Sequence, residues 1–236
     1  MKFKHTKVMN FDGALRGMRN PMESWGKSDS RWKNGHRSYD IGEEDLKLAQ
    51  KLIRAGSEHR KFMRQIFVSV DITAPLYWWK EFDTYKVGTV ANSTSTMHKL
   101  ATTPITMECF ETDDYEPETL GVVDNFLPKM VEWLEVLRLQ HLAAVEASKR
   151  PDNTPAAKEM YTAEAKRYWK ELIRWLPESW LQTRTVTLSY ENLLAMCSKG
   201  QRRFHKLTEW SEAFIGWARS LPYAQELIFI DELEVN

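Results

Sequence analysis

The chain has 236 residues, of which 42% are hydrophobic and 28% charged, and this balance is typical of a folded globular protein and not of a disordered one. Lysine and arginine together number 33, as do aspartate and glutamate, so the chain has no net charge to attract nucleic acid or a membrane surface. No apolar run resembles a signal peptide or reaches the roughly 20 residues that span a bilayer. The two cysteines, Cys109 and Cys197, fit a reduced protein, so we expect a cytoplasmic location.

The first half of the chain contains one strong strand pattern. Residues 1–42 are rich in glycine, asparagine, serine and arginine without clear periodicity, which predicts ordered loops. The acidic run that starts at Glu43 predicts a helix that ends at Gly56. From Ile66 to Thr73 apolar and polar residues alternate, which predicts a strand with one buried face. A short helix, LYWWKEFDTY, and a hydroxyl-rich loop, GTVANSTSTMHKL, follow it.

The second half is mostly helical. A helical pattern covers residues 117–148, and Thr154 with Pro155 predicts the start of another helix that ends near Trp175. LQTRTVTLSY predicts a second strand, and ENLLAMCSKG, FHKLTEWSEAFIGWARSL and AQELI predict further helices. Together these elements predict a single α+β domain over residues 1–236, with its core in residues 43–236. Its helices would pack on a small, mainly antiparallel sheet.

Several common catalytic motifs do not occur in the sequence. The six histidines show no metal-ligand spacing, and no metal site is predicted. There is no G-x-S-x-G elbow, no G-x-x-x-x-G-K phosphate loop and no G-x-G-x-x-G motif. These absences argue against serine hydrolases, P-loop enzymes and Rossmann dehydrogenases.

Two clusters of polar residues lie on either side of the first predicted strand. In residues 57–61, His59 stands beside two cations and suits a phosphate or a flavin edge, although a solvated turn explains it equally well. After the strand, the loop that carries Asn92 and Ser95 offers many hydroxyl and backbone donors to a phosphate. The alternative is that these two residues only form turns and helix caps.

A third cluster lies near the C-terminus. Arg202 and Arg203 stand between two predicted helices, and a guanidinium can bind two oxygens of a phosphate or carboxylate at once. The alternative is a surface ion pair with Glu209 or Glu212.

Taken in order, these segments resemble the flavin-dependent thymidylate synthases. The resemblance covers roughly residues 43–222 and depends on the order of several short pieces. These pieces are Glu58-His59, the strand to Thr73, Ala74-Pro75, Asn92, Ser95, Leu176-Pro177, Arg202 and Glu209. Three other family motifs are replaced: Arg-His-Arg by Thr84-Tyr85-Lys86, Arg-Gln by Lys80-Glu81 and the final Arg-Tyr by Met97-His98.

The resemblance implies an FAD-dependent enzyme that methylates dUMP or a related pyrimidine deoxynucleotide. Methylenetetrahydrofolate would supply the carbon and NADPH would reduce the flavin, in a homotetramer whose active sites lie between subunits. The cofactor would carry the chemistry, which explains why the sequence shows no catalytic dyad.

The resemblance also implies roles for individual residues. Ser95 and Arg202 would be the catalytic residues and would bind the nucleotide, with Arg203 as an alternative to Arg202. The residues expected near the flavin are His59, Tyr85, Lys86 and Asn92.

Two other interpretations remain open at this stage. The lost arginines favour a non-catalytic member of the same fold that binds a nucleotide or a protein, since lysine cannot replace a guanidinium fork. The tryptophan-rich helices favour an unrelated helical protein with an oligomer interface, because tryptophan is enriched in such interfaces.

Overall fold

The structure is a computed structural model, and it describes residues 1–35, 38–95, 100–112 and 126–233. Its contacts divide the chain into two compact units. The first unit comprises Met1–Thr73, Trp78–Asn92 and Arg184–Asn236, and the second comprises Ala74–Tyr77 and Ser93–Thr183. The single domain expected from the sequence stays a prediction, and the part of the helical pattern over residues 117–125 lies outside the described residues.

The described strands form one four-stranded sheet and one two-stranded sheet. The strands are β1 (Lys2–Met9), β2 (Arg31–Lys33), β3 (Ser38–Asp40), β4 (Phe67–Pro75), β5 (Val90–Ser93) and β6 (Leu181–Ser189). The order in the larger sheet is β1-β4-β6-β5, and β2 pairs with β3. Strands β1 and β4 are antiparallel, with Lys2 opposite Thr73 and Met9 opposite Phe67.

Helices make up most of the remaining described structure. They are α1 (Phe11–Arg19), α2 (Glu43–Arg54), α3 (Leu76–Phe82), α4 (Phe126–Ser148), α5 (Pro155–Arg174), α6 (Tyr190–Met196), α7 (Lys199–Phe204), α8 (Ile215–Arg219) and α9 (Ala224–Leu227). A π-helical segment, Glu209–Phe214, precedes α8, and the 3-10 turns Lys61–Gln65 and Asp83–Tyr85 flank β4 and α3. The predicted α+β class, with helices beside a small antiparallel sheet, is confirmed.

The prediction of loops over residues 1–42 is wrong for β1, α1, β2 and β3, which all lie within that segment. Strand β1 lies at the edge of the sheet, and most of its side chains are exposed. Charged residues are usual on such an edge because they discourage further pairing, but they hide the apolar alternation that reveals a strand. Asn10, with a φ of 70°, makes the left-handed turn into α1.

The first unit is built on the buried face of β4. Val68, Val70 and Ile72 are at most 1% exposed, which confirms the predicted alternation. Trp78 and Trp79, at 0% and 1% exposure, belong to the same core and form an edge-to-face pair with ring centres 4.9 Å apart. Burying such large rings is among the strongest favourable contributions to folding.

The second unit is built on helices α4 and α5, which pack against each other. Leu134, Leu137 and Leu172 lie in its apolar core. Thr154 caps α5 by accepting a hydrogen bond from the Ala157 N–H at 3.2 Å, with Pro155 at the first helical position as predicted. Among the residues that the structure describes, no helix is both long and apolar enough to cross a membrane.

Candidate functional site

A groove of about 590 Å³ opens in the first unit beside the end of β6. This volume is within the usual range of small-molecule sites, about 300–1,000 Å³. The lining residues are Arg60, Arg64, Thr84, Tyr85, Val87, Gly88, Ser189, Glu191, Asn192 and Ala195. The groove thus combines two cations, one carboxylate, one aromatic ring and several neutral polar groups.

The chain that follows α3 positions the aromatic side of the groove. Arg184 forms an ion pair with Asp83 at 3.0 Å, and its guanidinium lies 4.3 Å from the centre of the Trp79 ring. Tyr85 then packs against the buried Trp210, with ring centres 5.5 Å apart. Burial raises the pKa of Tyr85, so this residue presents a neutral ring and hydroxyl group at physiological pH.

A capping box forms another side of the groove. The Asn192 N–H donates to Ser189 Oγ at 3.2 Å, and the Ser189 N–H donates to Asn192 Oδ1 at 2.9 Å. Asn192 Nδ2 also donates to the Val87 carbonyl at 2.8 Å, which ties the start of α6 to the loop after α3. Gly88 in that loop has a φ of +78°, a conformation that strains residues with a side chain.

Two arginines share one carboxylate within the groove. Arg60 Nε donates to Glu191 Oε1 at 3.2 Å, while Arg64 donates to Glu191 Oε2 through Nε and to Oε1 through Nη2 at 3.3 Å. The hydrogen bond to Glu191 raises the pKa of Arg64. Two positive charges and one negative charge leave this cluster with a net charge of +1, which favours an anionic ligand.

Comparison with known proteins identifies the fold. No protein-family model matches the chain, and no curated protein matches it. Among solved structures, the flavin-dependent thymidylate synthase ThyX from Helicobacter pylori, complexed with FAD and dUMP, covers 98% of this chain and 99% of its own. Its TM-score is 0.60 at 15% sequence identity. The chain has the fold of the flavin-dependent thymidylate synthases.

Two further structures agree with this assignment. A second Helicobacter pylori ThyX structure with FAD and dUMP has a TM-score of 0.59 at 15% identity, and covers 98% of this chain and 97% of its own. The UMP/dUMP methylase PolB from Streptomyces cacaoi, bound with 5-Br dUMP, has a TM-score of 0.56 at 12% identity. It covers 97% of this chain and 94% of its own. A ThyX-like fold contradicts the interpretation of an unrelated helical protein.

Of the four residues predicted to contact a flavin, one belongs to the described lining of the groove and two are next to lining residues in the sequence. Tyr85 lines the groove. His59 directly precedes the lining residue Arg60, Lys86 directly follows Tyr85, and both side chains are exposed. Asn92 is exposed on β5, so the prediction of a loop is wrong at this position, and Asn92 is not among the described lining residues.

Arg202 is held by the turn near the C-terminus. Its Nη2 lies 3.2 Å from Asp231 Oδ1 and 3.2 Å from Glu232 Oε1, and its Nη1 donates to the Cys197 carbonyl. Its side chain is 17% exposed. The Arg202 guanidinium group, which was predicted to bind a nucleotide, therefore binds other groups of the same chain.

The other two residues predicted to bind the nucleotide differ in setting. Arg203 is exposed near the end of α7, in the first unit. Ser95 is half-buried and belongs to the second unit. The next residues, Thr96 to His98, include the pair that replaces the family's final Arg-Tyr, and they lie outside the described residues.

Sequence reasoning did not assign Arg64, Glu191 and Asn192 to a site. Arg60 and Arg64 lie at the start of and within the 3-10 turn Lys61–Gln65, where α-helical spacing gives no signal that two side chains converge. Their carboxylate partner is 127 residues beyond Arg64, so nothing local in the sequence could identify it.

Proposed function

We propose that the chain is an FAD-dependent enzyme that reductively methylates dUMP or a related pyrimidine deoxynucleotide. The observation that carries the proposal is the fold shared over almost the whole chain with a thymidylate synthase complexed with FAD and dUMP. The similar fold of a UMP/dUMP methylase supports the same class of substrate. Methylenetetrahydrofolate and NADPH are the proposed cosubstrates, and the proposed setting is a homotetramer in the cytoplasm.

The groove has residues that suit a flavin dinucleotide. The planar aromatic ring system of the flavin can pack against Tyr85, which itself packs against the buried Trp210. The dinucleotide's negatively charged diphosphate can accept hydrogen bonds from Arg60 and Arg64. Electron transfer is the chemistry that the flavin supplies when bound, and the protein supplies orientation and charge.

The nucleotide-binding roles follow from the same proposal. The hydroxyl group of Ser95 would donate a hydrogen bond to the nucleotide phosphate. Arg203 is the more accessible cation, because Arg202 already forms ion pairs with Asp231 and Glu232. We also propose that the flavin is contacted by His59, Lys86 and Asn92.

The cofactor proposal is tested by titrating the purified protein with FAD and recording flavin absorbance and fluorescence. We expect saturable binding that Tyr85→Leu weakens about tenfold, since aromatic packing contributes about 0.5–1.5 kcal/mol beyond burial. The matched control is Tyr161→Leu, at a half-buried tyrosine of α5 in the second unit. A protein that takes up no FAD would contradict the proposal.

The reaction itself is tested by incubating the FAD-loaded protein with dUMP, methylenetetrahydrofolate and NADPH. Methylation at C5 must release the hydrogen at that carbon, so tritium from C5-labelled dUMP should appear in water as dTMP forms.

A non-catalytic protein of the same fold is the second candidate. The ion pairs of Arg202 with Asp231 and Glu232 favour it, because an engaged guanidinium is a poorer ligand for phosphate. It predicts binding of dUMP without release of tritium, even when FAD, NADPH and methylenetetrahydrofolate are all present.

A further inference from the structure

The carboxylate of Glu191 occupies the position where an anionic ligand would meet Arg60 and Arg64. Both of its oxygens accept hydrogen bonds from these arginines, and only 15% of its side chain is exposed. We infer that Arg60 and Arg64 form a phosphate-binding site and that Glu191 is an internal competitor for it. Glu191 would thereby set the affinity of the groove for phosphorylated ligands.

The arginines keep donors that a phosphate could use. Arg60 contacts Glu191 through Nε alone, so neither of its terminal amino groups bonds to any residue that the structure describes. Arg64 uses Nε and Nη2, which leaves Nη1. The side chains of Arg60 and Arg64 are 27% and 51% exposed, so a ligand in the groove can reach them. A phosphate can therefore bind beside the carboxylate and compete with it for the same guanidinium groups.

The charges determine the direction of the effect. With Glu191 ionised, the three side chains carry a net charge of +1, and neutralising Glu191 would raise it to +2. Glu191→Gln keeps the size and the hydrogen-bonding oxygen of the side chain but removes the repulsion between its charge and the ligand. We expect the affinity for a phosphorylated ligand to increase about tenfold, the order of effect of one nearby charge at a partly exposed site.

The phosphate could belong to a nucleoside diphosphate unit, as in a dinucleotide cofactor, or to a nucleoside monophosphate substrate. Both share the chemistry of an oxyanion bound by guanidinium groups. ADP and dUMP separate the two sources, and adenosine, which has no phosphate, reports binding of the base and sugar alone.

The experiment measures the dissociation constants of ADP, dUMP and adenosine by calorimetry for the wild type, Glu191→Gln and Arg64→Gln. The controls are Glu164→Gln and Arg167→Gln, since Arg167 and Glu164 form an exposed ion pair on α5, at 3.6 Å, and neither belongs to the residues that line the groove. Thermal unfolding of each variant checks that it is folded. Arg64 is half exposed, so its replacement should be tolerated.

Support would be tighter binding of ADP, of dUMP or of both in Glu191→Gln, about tenfold weaker binding of the same ligand in Arg64→Gln, and unchanged binding of adenosine. The ligand that responds identifies the source of the phosphate. The inference is overturned if Glu191→Gln leaves both phosphorylated ligands unchanged or weakens them, or if Arg64→Gln behaves like Arg167→Gln.

The inference rests on the proposed function only for the identity of the natural ligand. A protein that binds ADP with this pattern but takes up no flavin would keep the phosphate site and lose the FAD proposal. If the protein binds FAD but Glu191→Gln does not change the affinity for ADP or dUMP, the FAD proposal stands and the competition by Glu191 is ruled out.

Discussion

At the residue scale, the Asp45 carboxylate is fully buried, so it needs hydrogen bonds and a counter-charge from within the protein. It accepts hydrogen bonds from Arg19 Nε at 2.5 Å and from the hydroxyl groups of Ser28 and Ser30, both at 2.6 Å. Burial alone would raise the pKa of Asp45, but the hydrogen bonds from Ser28, Ser30 and Arg19 hold it below its usual value. These contacts connect α2 to the end of α1 and to the segment between them.

Replacing this carboxylate should be costly. Asp45→Asn leaves the buried Arg19 guanidinium without a counter-charge, and we expect the free energy of unfolding to fall by about 3–5 kcal/mol. Urea unfolding measures the change, with the exposed Asp152→Asn as a control that should stay within about 0.5 kcal/mol. A loss below about 1 kcal/mol would mean that Arg19 finds water or another partner.

His205 gives the stability a pH dependence. Its ring stacks on Trp210 with centres 4.2 Å apart, and its side chain is 5% exposed. Burial lowers the pKa of His205, although Glu81, 3.5 Å from Nε2, acts in the opposite direction. Below the unfolded-state pKa of about 6.5, the unfolded chain binds a proton more readily than the folded one, so acid destabilises the fold.

The measurement is the free energy of unfolding between pH 7.5 and pH 5. We expect His205 to contribute a decrease of at most about 1.4 kcal/mol for each unit that the pH falls below about 6.5. His205→Gln should flatten this part of the profile, because it removes the buried group that titrates. Equal slopes in the wild type and His205→Gln would show that the Glu81 charge compensates for the burial.

At the scale of elements, local chemistry determined what could be predicted. The start of α5 follows from Thr154 and Pro155, since a cap and a first-turn proline act within a few residues of each other. Strand β4 follows from the alternation of apolar and polar residues along it. Strand β1 could not be predicted, because its eight residues carry no apolar stripe and its partner β4 lies about 65 residues further along the chain.

The groove depends on contacts that are less local still. Tyr85 was predicted through a family resemblance, and it does line the groove. Arg60 and Arg64 lie at the 3-10 turn before β4, and Glu191 lies at the start of α6, directly after β6. The ion cluster forms only where these two segments come together. Only the pairing of these strands in the folded sheet brings the two segments together, so periodicity and capping signals carried no information about this ion cluster.

At the scale of the whole molecule, the surface of α4 indicates self-association. Leu134 and Leu137 are buried in the second unit, but Trp133, Val136 and Leu139 on the same helix remain 43%, 47% and 50% exposed. A helix that is apolar on more than one face is usually covered by more than one neighbour. We therefore expect these side chains to lie between copies of the chain, in keeping with the proposed homotetramer.

Sedimentation of the wild type should give a mass that is a multiple of the chain mass, and Leu139→Glu should shift it toward the monomer. A buried charge without a partner opposes association strongly, because the carboxylate loses its hydration. Gln140→Glu adds the same charge at the next exposed position without removing apolar surface, and it should change the mass much less. If the wild type sediments as a monomer, α4 is exposed in solution and any active site must be complete within one chain.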